Sequence, residues 1–432
     1  MYTSLPPRAL PLSFSTTPPQ SEIPVTLETL ARLCYFSNGV TRVLRGMPFR
    51  AAACTGALFH IEEYIVCGDL PDLEGGVYHF DAHDNSLRQL RRGDFRQALI
   101  EATGGAPPVA QAPAIVALTS TWWRNAWKYQ ARAYRHAFWD SGTILANLLG
   151  VAFGQHVPAT VVLGFADSLA NRLLDVNPSQ EATIALVALG SDSPPPPAPP
   201  EIAPLDLPTR RLSAHHVDYP EIVEAHAASS LASGAAAAAW RAQFSSPCPQ
   251  SAEPLVGDES IEAVILRRGS SRRFSHQPIS HDSLQTMLQA ATAPTPMDAF
   301  VPTELYLIVN AVDGVAPGSY VLNRATGALE LLAAGDFRRE AAYLDLGQDL
   351  AGDAALDAYW LVDLDRLDDR GYRAAQLTAA IEGGKLYLAA YAQRLGATGL
   401  TFFDDDVVHF FSPHAAGKSV MFLNAVGVPA RR

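Results

Sequence analysis

Cysteine is scarce in this chain of 432 residues; only Cys34, Cys54, Cys67 and Cys248 occur. None lie at CxxC spacing and no His-rich cluster accompanies them, so neither a disulfide framework nor a metal site is expected. Reduced thiols in a cytoplasm are the simpler expectation. Charge is thin too, with 18% Asp, Glu, Lys and Arg against 48% hydrophobic residues. That balance supplies apolar surface for ordered cores, so wholesale disorder is not expected. Basic residues are outnumbered, 32 against 44 acidic, for a formal net charge of −12. Such a surface repels phosphate backbones and argues against nucleic acid as a partner, while leaving room for a local basic pocket for one phosphate. Long hydrophobic runs are missing. The stretch "ILANLLGVAF" is too short to span a bilayer, so no membrane association is expected. The first residues, "MYTSLPPRALPLSF", lack a basic segment followed by an apolar one, so no signal peptide is expected and the localisation read from the sequence is cytoplasmic.

What the chain does contain is a repeat. "RRGDFRQAL" begins at Arg91 and "AAGDFRREA" at Ala333, and their aspartates, Asp94 and Asp336, are 242 positions apart. The same offset of 242 aligns Tyr78 with Tyr320, and Glu62 and Tyr64 with Glu304 and Tyr306. Beyond them "RAYRHAF" meets "RGYRAAQ" at an offset of 238, which then pairs Phe165-Ala166-Asp167 with Phe403-Asp404-Asp405. An offset held over so much chain marks an internal duplication of a domain-sized unit, not a solenoid. Each copy reads as α+β. "EEYIV" and "ELYLIVN" are strand-like, and glycine turns then lead into "GGVYHF" and "GSYVL". "AIVALTST" and "AYWLVDLD" are buried-strand runs. Long helices follow, and "EATIALVALG" and "SVMFLNAVG" close each copy. The proline-dense "SDSPPPPAPPEIAPLDLP" can continue neither helix nor sheet and reads as a semi-rigid, exposed connector. The expected organisation is a first half over 22–190, a connector over 191–219 and a second half over 220–432. "PEIVEAHAASSLASGAAAAAWRAQF" reads as a helix on the second half, or in its Ala-rich part as a flexible arm.

The halves differ where chemistry would sit. The second opens with "ILRRGSSRRFSHQPISHDSLQTMLQAATAP", which resembles the opening of the nitroreductase family. Arg268, Ser270, Arg272 and Phe274 fit its Arg-x-Ser-x-Arg-x-Phe pattern. Two guanidiniums and a hydroxyl on one short segment suit a phosphate dianion. The resemblance implies that this phosphate belongs to flavin mononucleotide (FMN). The first half has Phe14, Thr16 and Pro18 at the matching places. It carries instead "RAAACTGALFHIEEY", which looks like the small-residue segment of the SagB/ThcOx-type dehydrogenases, a nitroreductase branch. Cys54, Thr55, Gly56 and Ala57 are the small residues that would let backbone approach a flat ring. Ala-Cys-Thr replaces that branch's Pro-Ser-Ala, and the second half has lost the glycine. "WWRNAWKYQARAYRHAFWD" resembles the same branch, in which a Lys-Tyr pair is implicated in azoline oxidation; Lys128 and Tyr129 carry it here.

The resemblance therefore implies an α+β, nitroreductase-like fold duplicated in one chain as an intramolecular pseudo-dimer. It implies one FMN, with the phosphate grip from one half and the ring-side loop from the other. Ala397, Thr398 and Gly399 in "RLGATGLTFF" would face the flavin ring, and Arg431 or Arg432 would add to the phosphate grip. The implied reaction is FMN-dependent oxidation of thiazoline or oxazoline rings in a ribosomally made peptide, beside a cyclodehydratase and with O2 as electron acceptor. A proton must leave one ring carbon and a hydride its neighbour; a base takes the proton, and a neighbouring ammonium favours the phenolate form of tyrosine. An NAD(P)H-dependent nitroreductase or quinone reductase, and a flavin-free scaffold of a biosynthetic complex, are the alternatives. Asp140 and the paired Arg132, Tyr134 and Arg135 are read as structural, for helix capping or contacts between halves. The acidic run Asp404–Asp406 is read as a helix N-terminal cap. His60 either lines the substrate side or is a satisfied core histidine.

Overall fold

A computed structural model of the chain describes residues 2–15, 19, 21–210, 212–244 and 259–430. The chain divides into two compact units, Met1–Ser251 with Thr295–Phe300, and Ala252–Pro294 with Val301–Arg432.

The first unit is built on an antiparallel sheet of β1 (Pro7–Ala9), β4 (Ile61–Cys67), β5 (Gly76–Asp81), β6 (Ser86–Arg92), β7 (Ala114–Thr121), β8 (Ala159–Val162) and β9 (Glu181–Leu189); β2 (Val40–Leu44) and β3 (Met47–Arg50) form a separate hairpin. The large sheet runs β1-β6-β5-β4-β7-β9-β8. The second unit has β10 (Glu304–Val309), β11 (Gly318–Leu322), β12 (Leu329–Ala334), β13 (Leu356–Asp363), β14 (Gly396–Gly399) and β15 (Lys418–Gly427), in the order β12-β11-β10-β13-β15-β14. Strand for strand this is the first order without β1. Even the irregularities repeat: bulges fall at Val77/Tyr78 and Leu118/Thr119 in one sheet and at Ser319/Tyr320 and Trp360/Leu361 in the other. A bulge is a local insertion with its own twist, so its recurrence at one offset is the signature of a copied unit.

The repeated Gly-Asp-Phe-Arg has one structural job in both units. Asp94 Oδ1 caps the backbone N–H of Arg96, and Arg96 Nη1 donates to Ala112 O at 3.1 Å. Asp336 Oδ1 caps Arg338, whose Nη1 donates to Ala354 O at 3.2 Å. Each arginine thus ties the turn after the β5–β6 or β11–β12 hairpin to the chain entering β7 or β13. The core helices, Ala133–Gly154 and Asp369–Ala392, are buried on nearly every face, polar residues such as Asp140, Arg373 and Glu382 included. No helix among the described residues is long and apolar enough to cross a membrane.

Two features depart from the sequence reading. Residues 220–244 form two helices, Pro220–Ala228 and Gly234–Arg241, and belong to the first unit, not the second. The contacts are specific: Ser229 Oγ lies 2.9 Å from Tyr134 Oη, and Leu231 N donates to Asp167 Oδ2 at 2.9 Å. Gly234 packs on Gly104 so closely that a Cβ on Gly104 would stand 2.1 Å from its carbonyl oxygen. Nor is the proline-rich stretch simply exposed. Ile202, Leu205 and Leu207 pack against the first core, and Ala203 O accepts from Arg91 Nη1 at 2.7 Å.

Candidate active site

In the first unit, the turn Thr55–Ala57 sits between β3 and β4. It is conformationally expensive. Gly56, Ala57 and Phe59 have φ of 62°, 53° and 47°. Positive φ at non-glycine residues costs about 1–3 kcal/mol each and persists only where surroundings impose it. Here the core helix imposes it. Asp140 Oδ1 accepts from Thr55 N at 2.9 Å and Thr55 Oγ1 at 2.8 Å, while Oδ2 accepts from Cys54 Sγ at 3.0 Å. His60 Nε2 lies 2.8 Å from the same Oδ2, and its Nδ1 lies 2.9 Å from Ser120 Oγ. One turn on, Thr143 Oγ1 donates to Ala53 O at 2.8 Å, and Phe59 N donates to Cys54 Sγ at 3.0 Å. Burial opposes the Asp140 charge, but hydrogen bonds and charge from His60 and Cys54 outweigh it and hold the carboxyl below its ordinary value. Burial, then the charge of Asp140, pushes the Cys54 thiol up.

The Lys-Tyr pair lies over this turn. Lys128 and Tyr129 end the helix Trp123–Tyr129. A Cβ built on Gly56 would stand 2.7 Å from Tyr129 Oη and 3.2 Å from Lys128 Nζ, so the glycine is what lets both functional groups approach the turn. Lys128 is exposed, Tyr129 half-buried, and Nζ sits 5.0 Å from the Tyr129 ring centroid. Beneath, Tyr129 meets the edge of His136 with centroids 4.6 Å apart. His136 Nδ1 pairs with Asn125 Oδ1 at 2.8 Å, and burial lowers the imidazole pKa to about 3.

The second unit gathers the other expected residues. Ser271 N donates to Ala397 O at 3.0 Å, placing the 268–272 segment against β14. A Cβ on Gly396 would stand 2.1 Å from Ser271 Oγ. Tyr387, on the core helix, donates to Gly269 O and lies 2.8 Å from Ser270 Oγ. The three expected grip residues are not equivalent. Arg268 is buried, its guanidinium 5.6 Å from the Tyr387 ring centroid and bonded to Gly269 O, whereas Ser270 and Arg272 are exposed. Ala397 and Thr398 are buried in β14, paired to Val426 and Ala425. Arg431 and Arg432, and in the first half Thr16 and Pro18, lie outside the described residues.

Asp140 and Tyr387 are what the sequence reading missed. Asp140 is inside the core helix, so it caps nothing; it anchors the turn. Its partners lie some 80 residues away, and no local pattern joins them. Tyr387 did carry a signal: at the 238 offset its counterpart is Leu149, so only the unit with the grip segment has the phenol. His60 is a core histidine bonded at both nitrogens, not a substrate-side residue. Asp404–Asp406 form the first turn of the helix Asp404–Phe410, where the dipole favours them, but the cap position is Phe403.

The family model of the nitroreductase family matches residues 265–427. The whole chain resembles the crystal structure of a protein described as a nitroreductase from Anabaena variabilis, with TM-score 0.77 and 24% identity, covering 94% of this chain and 88% of that one. This likeness establishes the duplicated α+β fold. Weaker likenesses are to a further such protein from Ralstonia eutropha (TM-score 0.36, 17% identity, 43% of this chain and 89% of that one) and to the E. coli microcin synthetase McbBCD complex with truncated pro-MccB17 (TM-score 0.36, 18% identity, 42% and 71%). No curated protein matches the sequence.

Proposed function

We propose that the protein is an FMN-dependent dehydrogenase that oxidises azoline rings in a peptide to the aromatic azoles. The observation that carries this is the convergence of Lys128 Nζ and Tyr129 Oη on Gly56, in a strained turn pinned from below by Asp140. Backbone strain of this kind clusters at functional sites.

The residues present fit FMN. An exposed hydroxyl and guanidinium on one short segment, Ser270 and Arg272, suit its phosphate, with Arg268 bracing the segment from inside. Ala397, Thr398 and Gly399 beside that segment, and Cys54, Thr55, Gly56 and Ala57 of the first unit, are assigned to the ring. This division rests on the sequence, in which each half retains what the other has lost, and it predicts one FMN per chain. Arg431 is assigned to the phosphate by the family pattern alone. The chemistry that FMN supplies when bound is hydride acceptance, with O2 as the final acceptor. Tyr129, acting as the phenolate beside the Lys128 ammonium, takes the proton from the adjacent ring carbon at Oη and becomes the neutral phenol. The substrate is an azoline-bearing peptide, and a cyclodehydratase that makes the azoline is the expected partner.

The test is released flavin per chain, followed by turnover of an azoline peptide by wild type, Tyr129→Phe and Lys128→Ala. One FMN per chain and a loss of about 10²-fold or more in each variant are expected. Two FMN per chain would overturn the division of labour. None after reconstitution, or bleaching by NADPH with nitroarene turnover and an inert azoline, would overturn the reading itself.

A further inference from the structure

The geometry points to a zinc-type divalent cation site at Cys54, His60 and Asp140. Their ligand atoms, Sγ, Nε2 and a carboxylate oxygen, lie within 4.8 Å of one another. Sulfur, imidazole nitrogen and carboxylate oxygen are the donor set that zinc takes. They come from three separate pieces of chain, the turn, the entry to β4 and the core helix, so a metal here would staple the turn to the helix.

The surroundings are those of a ligand shell. In metal sites the outer partners orient each ligand and set its tautomer. Asp140 commits Oδ1 to Thr55 N and Oγ1, which leaves Oδ2 turned toward the sulfur and the imidazole. His60 Nδ1 faces Ser120 Oγ, an acceptor for its proton when Nε2 binds a metal. Cys54 Sγ receives Phe59 N–H at 3.0 Å, a bond that stabilises a thiolate. The present spacings, 3.0 Å from Oδ2 to Sγ and 2.8 Å from Oδ2 to Nε2, are hydrogen-bond lengths. Ligands about 2.0–2.3 Å from a tetrahedral zinc stand roughly 3.5 Å apart, so these two pairs open by about 0.5–0.7 Å. Three protein ligands leave a fourth position for water.

The proton count is definite. Without metal, Oδ2 accepts from the thiol and from the imidazole N–H. On binding, the thiol proton leaves to solvent and the imidazole proton moves from Nε2 to Nδ1. One proton is released, so affinity falls about tenfold per pH unit on acidification. Among the described residues the set occurs in one copy of the repeat: at the repeat offsets the other copy carries Pro296, Pro302 and Thr378. The site does not depend on the flavin.

Cobalt(II) is the probe. Chelator-treated full-length protein is titrated anaerobically with Co(II), then with Zn(II). Expected are one Co(II) per chain, a near-ultraviolet thiolate-to-cobalt band with tetrahedral visible bands, displacement by one Zn(II), and a thermal midpoint raised by zinc and restored by chelator. Cys54→Ser should abolish the thiolate band. If that variant does not fold, His60→Gln is read instead, with affinity expected to fall at least about tenfold. A missing thiolate band in the wild type, a band that survives Cys54→Ser, or unchanged affinity in His60→Gln would each overturn the site.

Discussion

Gly56→Ala perturbs the turn at its most constrained point. The backbone there has φ of 62°, a conformation that costs an alanine about 1–2 kcal/mol. The new methyl also meets Tyr129 Oη at 2.7 Å and Lys128 Nζ at 3.2 Å. Both are the ends of side chains that can swing, so the clash should displace the pair rather than unfold the unit. Displacement of the phenol by up to about an ångström is enough to cost roughly 10²-fold in a reaction that depends on placement. The expectation is a variant destabilised by about 1–2 kcal/mol in chemical denaturation, with its flavin retained and kcat for azoline oxidation down by about 10²-fold. Wild-type kcat in a folded, flavin-loaded Gly56→Ala would refute the claim that the glycine exists to admit the Lys-Tyr pair.

Asp140→Asn turns an acceptor toward four donors into a group that is half donor; a loss of about 3–5 kcal/mol is expected, read by denaturation. Because folding depresses the Asp140 pKa, its stabilisation is present above the unfolded value of about 3.9 and is lost as pH falls through the lower folded value. His136, depressed to about 3, gives an earlier loss: the unfolded chain binds the proton from about pH 6.5 downward and the folded chain does not, so stability falls by about 1.4 kcal/mol per pH unit until about pH 3. His136→Gln should flatten that limb in melts recorded against pH. Asp345 and Asp357 in the second unit have the opposite sign. Both are fully buried, and burial raises their pKa, so the folded state is most stable below about pH 3.9 and loses stability as pH rises toward the folded values. Asp357→Asn should raise the thermal midpoint at pH 8 and leave it nearly unchanged at pH 4. Tyr387→Phe removes a bond to Gly269 O and one to Ser270 Oγ; FMN affinity is expected to fall about tenfold in a flavin-release titration.

The duplication was legible because strand, turn and bulge are written locally. Asp94 and Asp336, or Tyr78 and Tyr320, need only be compared in sequence to show the copy, and the two sheets in the structure run in matching order. What was not legible depends on partners distant in the chain. The helices at 220–241 announce apolar faces, but an amphipathic face does not say which core it covers; Tyr134, Asp167 and Gly104 decide that. The same holds for Asp140. A buried acid on an apolar helix says only that a partner exists, and Cys54, Thr55 and His60 become its partners through the folding of β4 beside the core helix.

That distance explains how the two copies could diverge without losing the fold. The residues that recur, such as Arg96 and Arg338, hold carbonyls of the sheet entry and serve the scaffold in either copy. Those found in one copy form linked sets. Asp140 is useful only with Cys54, Thr55 and His60 before it, and their counterparts Pro296 and Pro302 cannot make these bonds. Tyr387 is useful only beneath Gly269 and Ser270, and its counterpart Leu149 faces no such segment in sequence. Loss of one member strands a buried polar group, at a cost of about 1–3 kcal/mol, so its partners are expected to follow toward apolar or proline residues. The first unit keeps the turn set and the second keeps the grip set whole. Restoring one member alone, as in Leu149→Tyr, should therefore destabilise the first unit and recover no second flavin; a second FMN bound by that variant would show that the sets are not linked.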